Sequence, residues 1–289
     1  MSKLGDSTHT HTHTHTHTPN RVAFTLIELL VVISIIAIIS TIAIVSMNGA
    51  RDKARLAAGQ QLNGQIGQTI GDALTGSWSF DECSGATVSD SSGNGNTGTL
   101  NGASFSATTP TKSGCSLYFN GASDVTAVGP TYPNGVTISL WMNTTNIAAQ
   151  QCLFGQNAGG SNFLNIWMPG NGTVRFETAL SSSFYSNKAL AANTWYNIIA
   201  TYDPTAASGK AKIYIDGALD KAYDTTWSGA SASNTIRIGS FLAGQYFFNG
   251  YIDDVRVYSS ALVASEVGKL YAEGKSLHCG NLAVWAKGP

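Results

Sequence analysis

Three sets of residues in this 289-residue chain have the types and spacing for chemistry. The first is the run Asp90-Ser91-Ser92-Gly93-Asn94-Gly95-Asn96, a carboxylate and amide oxygens on a glycine-rich backbone. Hard oxygen donors of this kind suit calcium, which takes roughly six to eight of them. The same run also reads as a plain Asn-Gly turn. The second set is aromatic. Trp167, Tyr185, Trp227 and Tyr246 lie near turns, where ring faces stay open to stack on a sugar, whereas Trp141 and Trp195 lie within apolar strands and read as core. The third is Glu28, the one charge in the apolar run 24–45. A carboxylate at the centre of a membrane helix costs roughly 2.5 to 3.5 kcal/mol and so calls for a partner or a function. Glu28 also completes a capping box with Thr25.

Hydrolytic chemistry lacks its parts. A retaining glycosidase holds two carboxyls about 5 to 5.5 Å apart, usually projected from one strand as E-x-D-x-x-E, and no such run occurs. Glu177 shares a strand face with Arg175, which reads as a surface ion pair rather than an acid and a base. Five of the six histidines fall in the Thr-His alternation of residues 8–18, where nothing adjacent supplies a shaped metal site. His278 stands alone, without Ser-His-Asp or zinc spacing around it. No enzymatic activity is expected.

Composition narrows the class further. Net charge is −1 and charged residues are 11% of the chain, which leaves no basic footprint for nucleic acid. The four cysteines, Cys83, Cys115, Cys152 and Cys279, all follow the apolar run and suit an oxidising compartment. The favoured pairing is Cys83 with Cys115, both expected in strands, leaving Cys152 with Cys279 to tie the tail to the body. Reduced, buried thiols are the alternative.

The elements that must position these residues are of two kinds. Residues 24–45 make a helix of about 33 Å, long enough to cross a bilayer core. Helical spacing of Ala, Leu and Ile continues beyond it, so a long helix is predicted over 24–75. Lys3 and Arg21 precede the apolar run and Arg51, Lys53 and Arg55 follow it, so basic residues alone do not orient it. The cysteines and the lysine-poor downstream region call for export. From residue 76 the period changes to that of strands: WSFDE, SLYFNG, VTISLWMNT, FLNIWM, TVRFET, WYNIIATYD, AKIYIDG, NTIRIGS and FNGYIDDVRVY, separated by Gly, Asn, Ser or Pro turns. Many short strands without intervening helices mean a sandwich or barrel. One later helix is predicted over 262–273, stopped by Gly274.

Two resemblances sharpen this. Arg21-Val22-Ala23 followed by Phe24-Thr25-Leu26-Ile27-Glu28 and the apolar run closely resembles the prepilin signature of type IV pilins and type II secretion pseudopilins, with Ala23 where that family prefers Gly. The resemblance implies cleavage by a prepilin peptidase between Ala23 and Phe24 and methylation of the new amino terminus. It also implies assembly with other pilin subunits through Phe24 and Glu28, after a stage in the bacterial inner membrane. Downstream, WSFDECSGATVSDSSGNGNTGTLNGASF, LYFNGASD, TISLWM, ANTWYNIIATYD, KIYIDG and GYIDDVRVYSSALVASEV resemble, in order, the LamG-like jelly-roll domain of the concanavalin A superfamily over residues 78–271. That family often holds calcium between this first loop and the late IDD motif, which points to Asp90, Asn94, Asn96 and Asp253. The predicted organisation is a leader at 1–23, the helix at 24–75, an antiparallel jelly-roll sandwich at 76–275 and a tail at 276–289. The function it implies is a minor pilin that displays a lectin-like domain at the cell surface for a carbohydrate or surface-protein ligand. The alternative is a pseudopilin of a secretion or DNA-uptake machine, with protein partners only.

Overall fold

The computed structural model describes residues 26–38 and 70–277, except 111–113, 130–131, 133–134, 158–162, 179–182, 226, 228–234 and 242–243. The chain divides into two compact units, residues 1–62 and 63–289. In the first, residues 26–38 form helix α1, which includes Glu28 and has every side chain exposed. Ala23 and Phe24 lie outside the described residues, as do 39–69, so the long helix predicted over 24–75 is described only from 26 to 38. Among the described residues no helix is long and apolar enough to cross a membrane.

The second unit corrects the end of that helix. Residues 70–73 are helical, but Leu74–Trp78 is a strand, β1, that begins ahead of the expected boundary at 76. It pairs antiparallel with residues 255–258, and the ladder takes over the backbone groups that a helix would have used internally. The predicted strand WSFDE therefore stops at Trp78; Phe80 turns the chain with φ of 62°.

Fifteen more strands follow among the described residues. β2 (Thr87–Val88), β3 (Gly98–Asn101), β4 (Ser104–Ser106), β5 (Ser116–Asn120) and β6 (Asp124–Val128) are short. β7 (Val136–Thr144), β8 (Gln150–Asn157), β9 (Phe163–Pro169), β10 (Arg175–Glu177) and β11 (Ser183–Tyr185) form the middle of the chain. β12 (Tyr196–Tyr202), β13 (Ala211–Ile215), β14 (Ala218–Tyr223), β15 (Thr235–Ile238) and β16 (Asn249–Tyr258) complete the set. Sheet A runs β14-β13-β12-β7-β16-β5-β4, with β1 also on β16; sheet B runs β11-β10-β9-β8-β15-β6-β3-β2. This is the predicted all-β antiparallel jelly-roll sandwich.

Period-two alternation fixes which face each side chain takes. Ile138, Leu140 and Met142 of β7, Leu164, Ile166 and Met168 of β9, and Ile236 and Ile238 of β15 share the main core between the sheets. The other face of sheet A is covered too. Ile199, Tyr214, Tyr258, Leu262, Val267 and Leu270 form a second cluster, joined by Ile70, Ala73 and Leu74. Its cover is helix α2 (Ala264–Leu277), whose first turn is held by Glu266 accepting the Val263 N–H at 2.8 Å. Gly274, expected to stop this helix, lies inside it. A Cβ there would meet Trp141 Nε1 at 2.7 Å, so glycine is what lets α2 approach while Tyr271 stacks on the Trp141 ring at 5.7 Å. Trp141 is thus buried outside the main core, and Trp195 is half-buried just before β12 rather than central.

Candidate ligand-binding face

Helix α2 packs on sheet A, and the candidate residues lie on the outer face of sheet B. Alternation sends Asn165 and Trp167 of β9 to this side, because their neighbours fill the core. Strand register then aligns Tyr185, Arg175, Trp167 and Cys152 across β11, β10, β9 and β8, with Glu177 beside Asn165 one step along. Arg175 pairs with Glu177 at 2.5 Å, as the shared strand face predicts, but the pair is largely buried rather than superficial. The other Glu177 oxygen accepts Trp167 Nε1–H at 2.9 Å and Asn165 Nδ2–H at 3.2 Å. The Arg175 guanidinium carbon lies 5.9 Å from the Trp167 ring centre and 5.9 Å from that of Tyr185. A carboxylate thus holds a cation between two rings, and the cation's remaining N–H groups are fixed in direction.

A second aromatic pair closes the row from the other side. Phe241 lies 4.6 Å and Tyr246 5.2 Å from the Trp167 ring. Phe241 and Gln245 exchange backbone hydrogen bonds, and the Tyr246 carbonyl accepts the Cys152 N–H at 2.8 Å. These bonds hold Tyr246 at φ of 53°, a left-handed conformation that costs an aromatic residue of order 1 to 3 kcal/mol and is concentrated at functional positions. Tyr185 is 41% and Tyr246 44% exposed, whereas Trp167 is 4%. The face therefore offers two open tyrosine rings flanking a fixed Arg–Glu pair, with Trp167 as their support.

Of the four predicted aromatics, Tyr185, Trp167 and Tyr246 come together and Trp227 does not. Trp227 is in the main core, edge-on to Tyr202 at 5.2 Å, with its backbone N–H on the Tyr202 hydroxyl at 2.9 Å. Sequence reading missed Arg175 and Glu177 as ligand-facing groups, and Asn165 and Phe241 altogether. The alternation in FLNIWM carried the signal for Asn165, since it puts Asn165 and Trp167 on one face.

The residues expected to hold calcium make the following contacts. The Asp90 carboxylate accepts the backbone N–H groups of Ser77, Ser92 and Asn96, each at 2.9 Å, and the Ser92 hydroxyl at 2.8 Å. Burial alone would raise its pKa, but these bonds together hold it below the usual carboxylate value. Asn94 Nδ2–H donates to the Leu74 carbonyl and Asn96 Nδ2–H to that of Thr75, so the loop is sewn to β1. Asp253 is fully buried on β16 at a bulge where Asp254 turns to φ of 47°. Burial, then the charges of Asp254 and Asp81, raise its pKa to about 9 against one opposing backbone bond, so it holds a proton at neutral pH. Both Asp90 oxygens are taken up by N–H and O–H donors within the loop and β1. Among the described residues no three His, Cys, Asp or Glu side chains converge as metal ligands.

Of the expected bridges, Cys83 with Cys115 is present, and both residues lie in loops rather than strands. Cys152 is a buried free thiol, its Sγ 3.2 Å from the Phe154 carbonyl; Cys279, its expected partner, lies outside the described residues. Burial and then the Glu177 charge push the Cys152 thiol well above its usual pKa.

Residues 119–268 match the family model described as the concanavalin A-like lectin/glucanases superfamily. Among solved structures, domain 4 of an extracellular GH43 arabinanase from Geobacillus stearothermophilus, in complex with arabinotriose, aligns at 22% identity and a TM-score of 0.58. That alignment covers 68% of this chain and 98% of that one. Botulinum neurotoxin type C, in a study of its interaction with two ganglioside molecules, aligns at 16% identity and 0.56, covering 72% and 52%. The binding domain of botulinum neurotoxin DC in complex with rat synaptotagmin II aligns at 16% and 0.55, covering 71% and 52%. This chain spans about half the length of the two toxin chains, and at these identities what is shared is the fold. A search of curated protein sequences returned no match.

Proposed function

We propose that this chain, which belongs to the concanavalin A-like lectin/glucanases superfamily, is a binding subunit that presents the outer face of sheet B to a carbohydrate or surface-protein ligand. The observation that carries the reading is the row Tyr185–Arg175–Trp167–Tyr246, two exposed rings braced by a buried Arg175–Glu177 pair. Exposed ring faces beside fixed donors are what a sugar needs, since its C–H face stacks and its hydroxyls take the donors. The role is binding and not hydrolysis: Glu177 is committed to Arg175, Trp167 and Asn165.

The amino-terminal half of the proposal rests on the sequence. Ala23 and Phe24 mark the processing site and Glu28 the assembly contact of a type IV pilin-like subunit, anchored in the inner membrane before it joins a surface filament. Two charges too costly to bury singly would neutralise one another between protomers. Mass spectrometry of the native amino terminus tests this half, an N-methylated Phe24 being the expected result and an intact leader the contrary one.

The binding half is tested on a glycan array with the full chain in detergent, starting from arabino-oligosaccharides and gangliosides. Binding that falls at least about tenfold in Tyr185→Ala supports it. Failure to bind any glycan, with calcium or with chelator, favours the pseudopilin alternative, in which the domain contacts protein partners only. Calcium at Asp90, Asn94, Asn96 and Asp253 stays a proposal of the family resemblance; a calcium titration followed by thermal melting decides it, and on the donor geometry no shift is expected.

A further inference from the structure

On the same face of sheet B, across the Phe241–Phe248 segment from the tyrosine row, is an open cavity of about 430 Å³. Its size falls within the range of small-molecule sites, roughly 300 to 1,000 Å³. Its walls are Asn101, Ala122, Asp124, Thr126, Arg237 and Phe247, with Gly244. Register explains why these residues meet: Arg237 of β15 lies opposite Thr126 of β6, and Asp124 opposite Asn101 of β3, all on the side away from the core.

Asp124 organises the polar wall. It is buried, and one oxygen accepts Arg237 at 2.7 Å and the Ser240 hydroxyl at 2.6 Å, while the other accepts Asn101 Nδ2–H at 2.7 Å. A carboxylate only accepts, so the Asn101 amide must turn its NH₂ toward Asp124 and its carbonyl oxygen away. Arg237 offers further N–H groups in a fixed plane, and its charge is balanced by Asp124. The cavity therefore presents an oriented acceptor, oriented donors, a threonine hydroxyl and an aromatic side chain, with no net charge to recruit an anion. We propose that it is a second binding site, separate from the tyrosine row, built for a neutral sugar with adjacent hydroxyls. One hydroxyl donates to the Asn101 carbonyl, its neighbour accepts from Arg237, and the sugar's apolar face rests against Phe247.

Saturation-transfer NMR of the full chain in detergent tests this with the methyl glycosides of glucose, galactose, mannose, arabinose and N-acetylglucosamine, and with N-acetylneuraminic acid as the anionic probe. The expected result is transfer to at least one neutral glycoside. It should persist in Tyr185→Ala, which removes the contribution of the tyrosine row, and in that background fall at least about tenfold on adding Asn101→Ala or Ala122→Trp, which fills the exposed mouth. Arg237→Gln should do the same, but it leaves Asp124 unbalanced, so the two exposed positions decide. In the Tyr185→Ala background, transfer to the anionic probe alone, transfer that survives Ala122→Trp, or no transfer to any glycoside would each overturn the proposal. Loss of array binding in Tyr185→Ala is a separate result that bears only on the tyrosine row.

Discussion

The two sheets of this sandwich treat their outer faces in opposite ways. Sheet A is covered: α2 buries Ile199, Tyr214 and Tyr258 under Val267 and Leu270, and β7 is buried along its whole length. Sheet B keeps an arginine-centred aromatic row and a polar cavity instead, with Tyr185 and Tyr246 open to solvent. Large apolar groups on a sheet's outer face are stable only under a cover, whereas rings braced by a buried ion pair can stand without one. One face holds the fold together, and the other is free to bind.

The strongest way to break this contrast is to remove what α2 rests on. Trp141→Ala deletes the ring that stacks on Tyr271 and faces Gly274, and should cost about 3 to 5 kcal/mol in urea unfolding. Glycan binding by the folded fraction should not change. A cost below about 1 kcal/mol would mean that α2 is not part of the fold's stability.

Much of sheet A could be read in the sequence, and its cover could not. VTISLWMNT shows a strand by its apolar run, but no periodicity says that the outward Trp141 will be roofed by a helix joined through Leu262 and Val263. Gly274 reads as a helix stop because glycine weakens helices; only the approach to Trp141 reveals it as a packing position. The same limit applied on sheet B. Arg175 and Glu177 were legible as neighbours from their two-residue spacing, but Phe241 and Tyr246 reach Trp167 only because β15 joins β8, a pairing with no local signature. Asp90 was singled out by its loop. Its oxygens close the turn, the ordinary Asx behaviour of that residue.

The bridge is the next largest effect. Replacing Cys83 and Cys115 by serine opens a 32-residue loop and should cost about 3 to 4 kcal/mol in the chain-entropy picture, read by thermal or urea melts with no change in glycan recognition.

Asp253 sharpens the contrast through pH. Its pKa is raised in the folded chain, to about 9 from 3.8, so its protonated form stabilises the fold. That contribution is full below pH 3.8 and declines as pH rises toward 9, by at most about 1.4 kcal/mol per unit. Asp253→Asn should remove this slope, leaving the variant increasingly more stable than the parent from pH 5 to 9 in parallel melts. Equal slopes would show that the buried acid does not hold its proton.

The smallest expected effect on stability lies on the open face. Tyr185→Ala should change unfolding free energy by less than about 1 kcal/mol, as an exposed side chain does, while glycan binding falls at least about tenfold. A large loss of stability would move Tyr185 from the binding surface into the scaffold.

Hydrogen–deuterium exchange of the full chain, with and without the best glycan from the array, compares the two faces directly. The expected result is protection at Ser183–Tyr185 and around Tyr246, with none across Ala264–Leu277. Protection confined to α2, or a bound glycan that leaves the Tyr185 and Tyr246 segments unchanged, would contradict a binding face on sheet B.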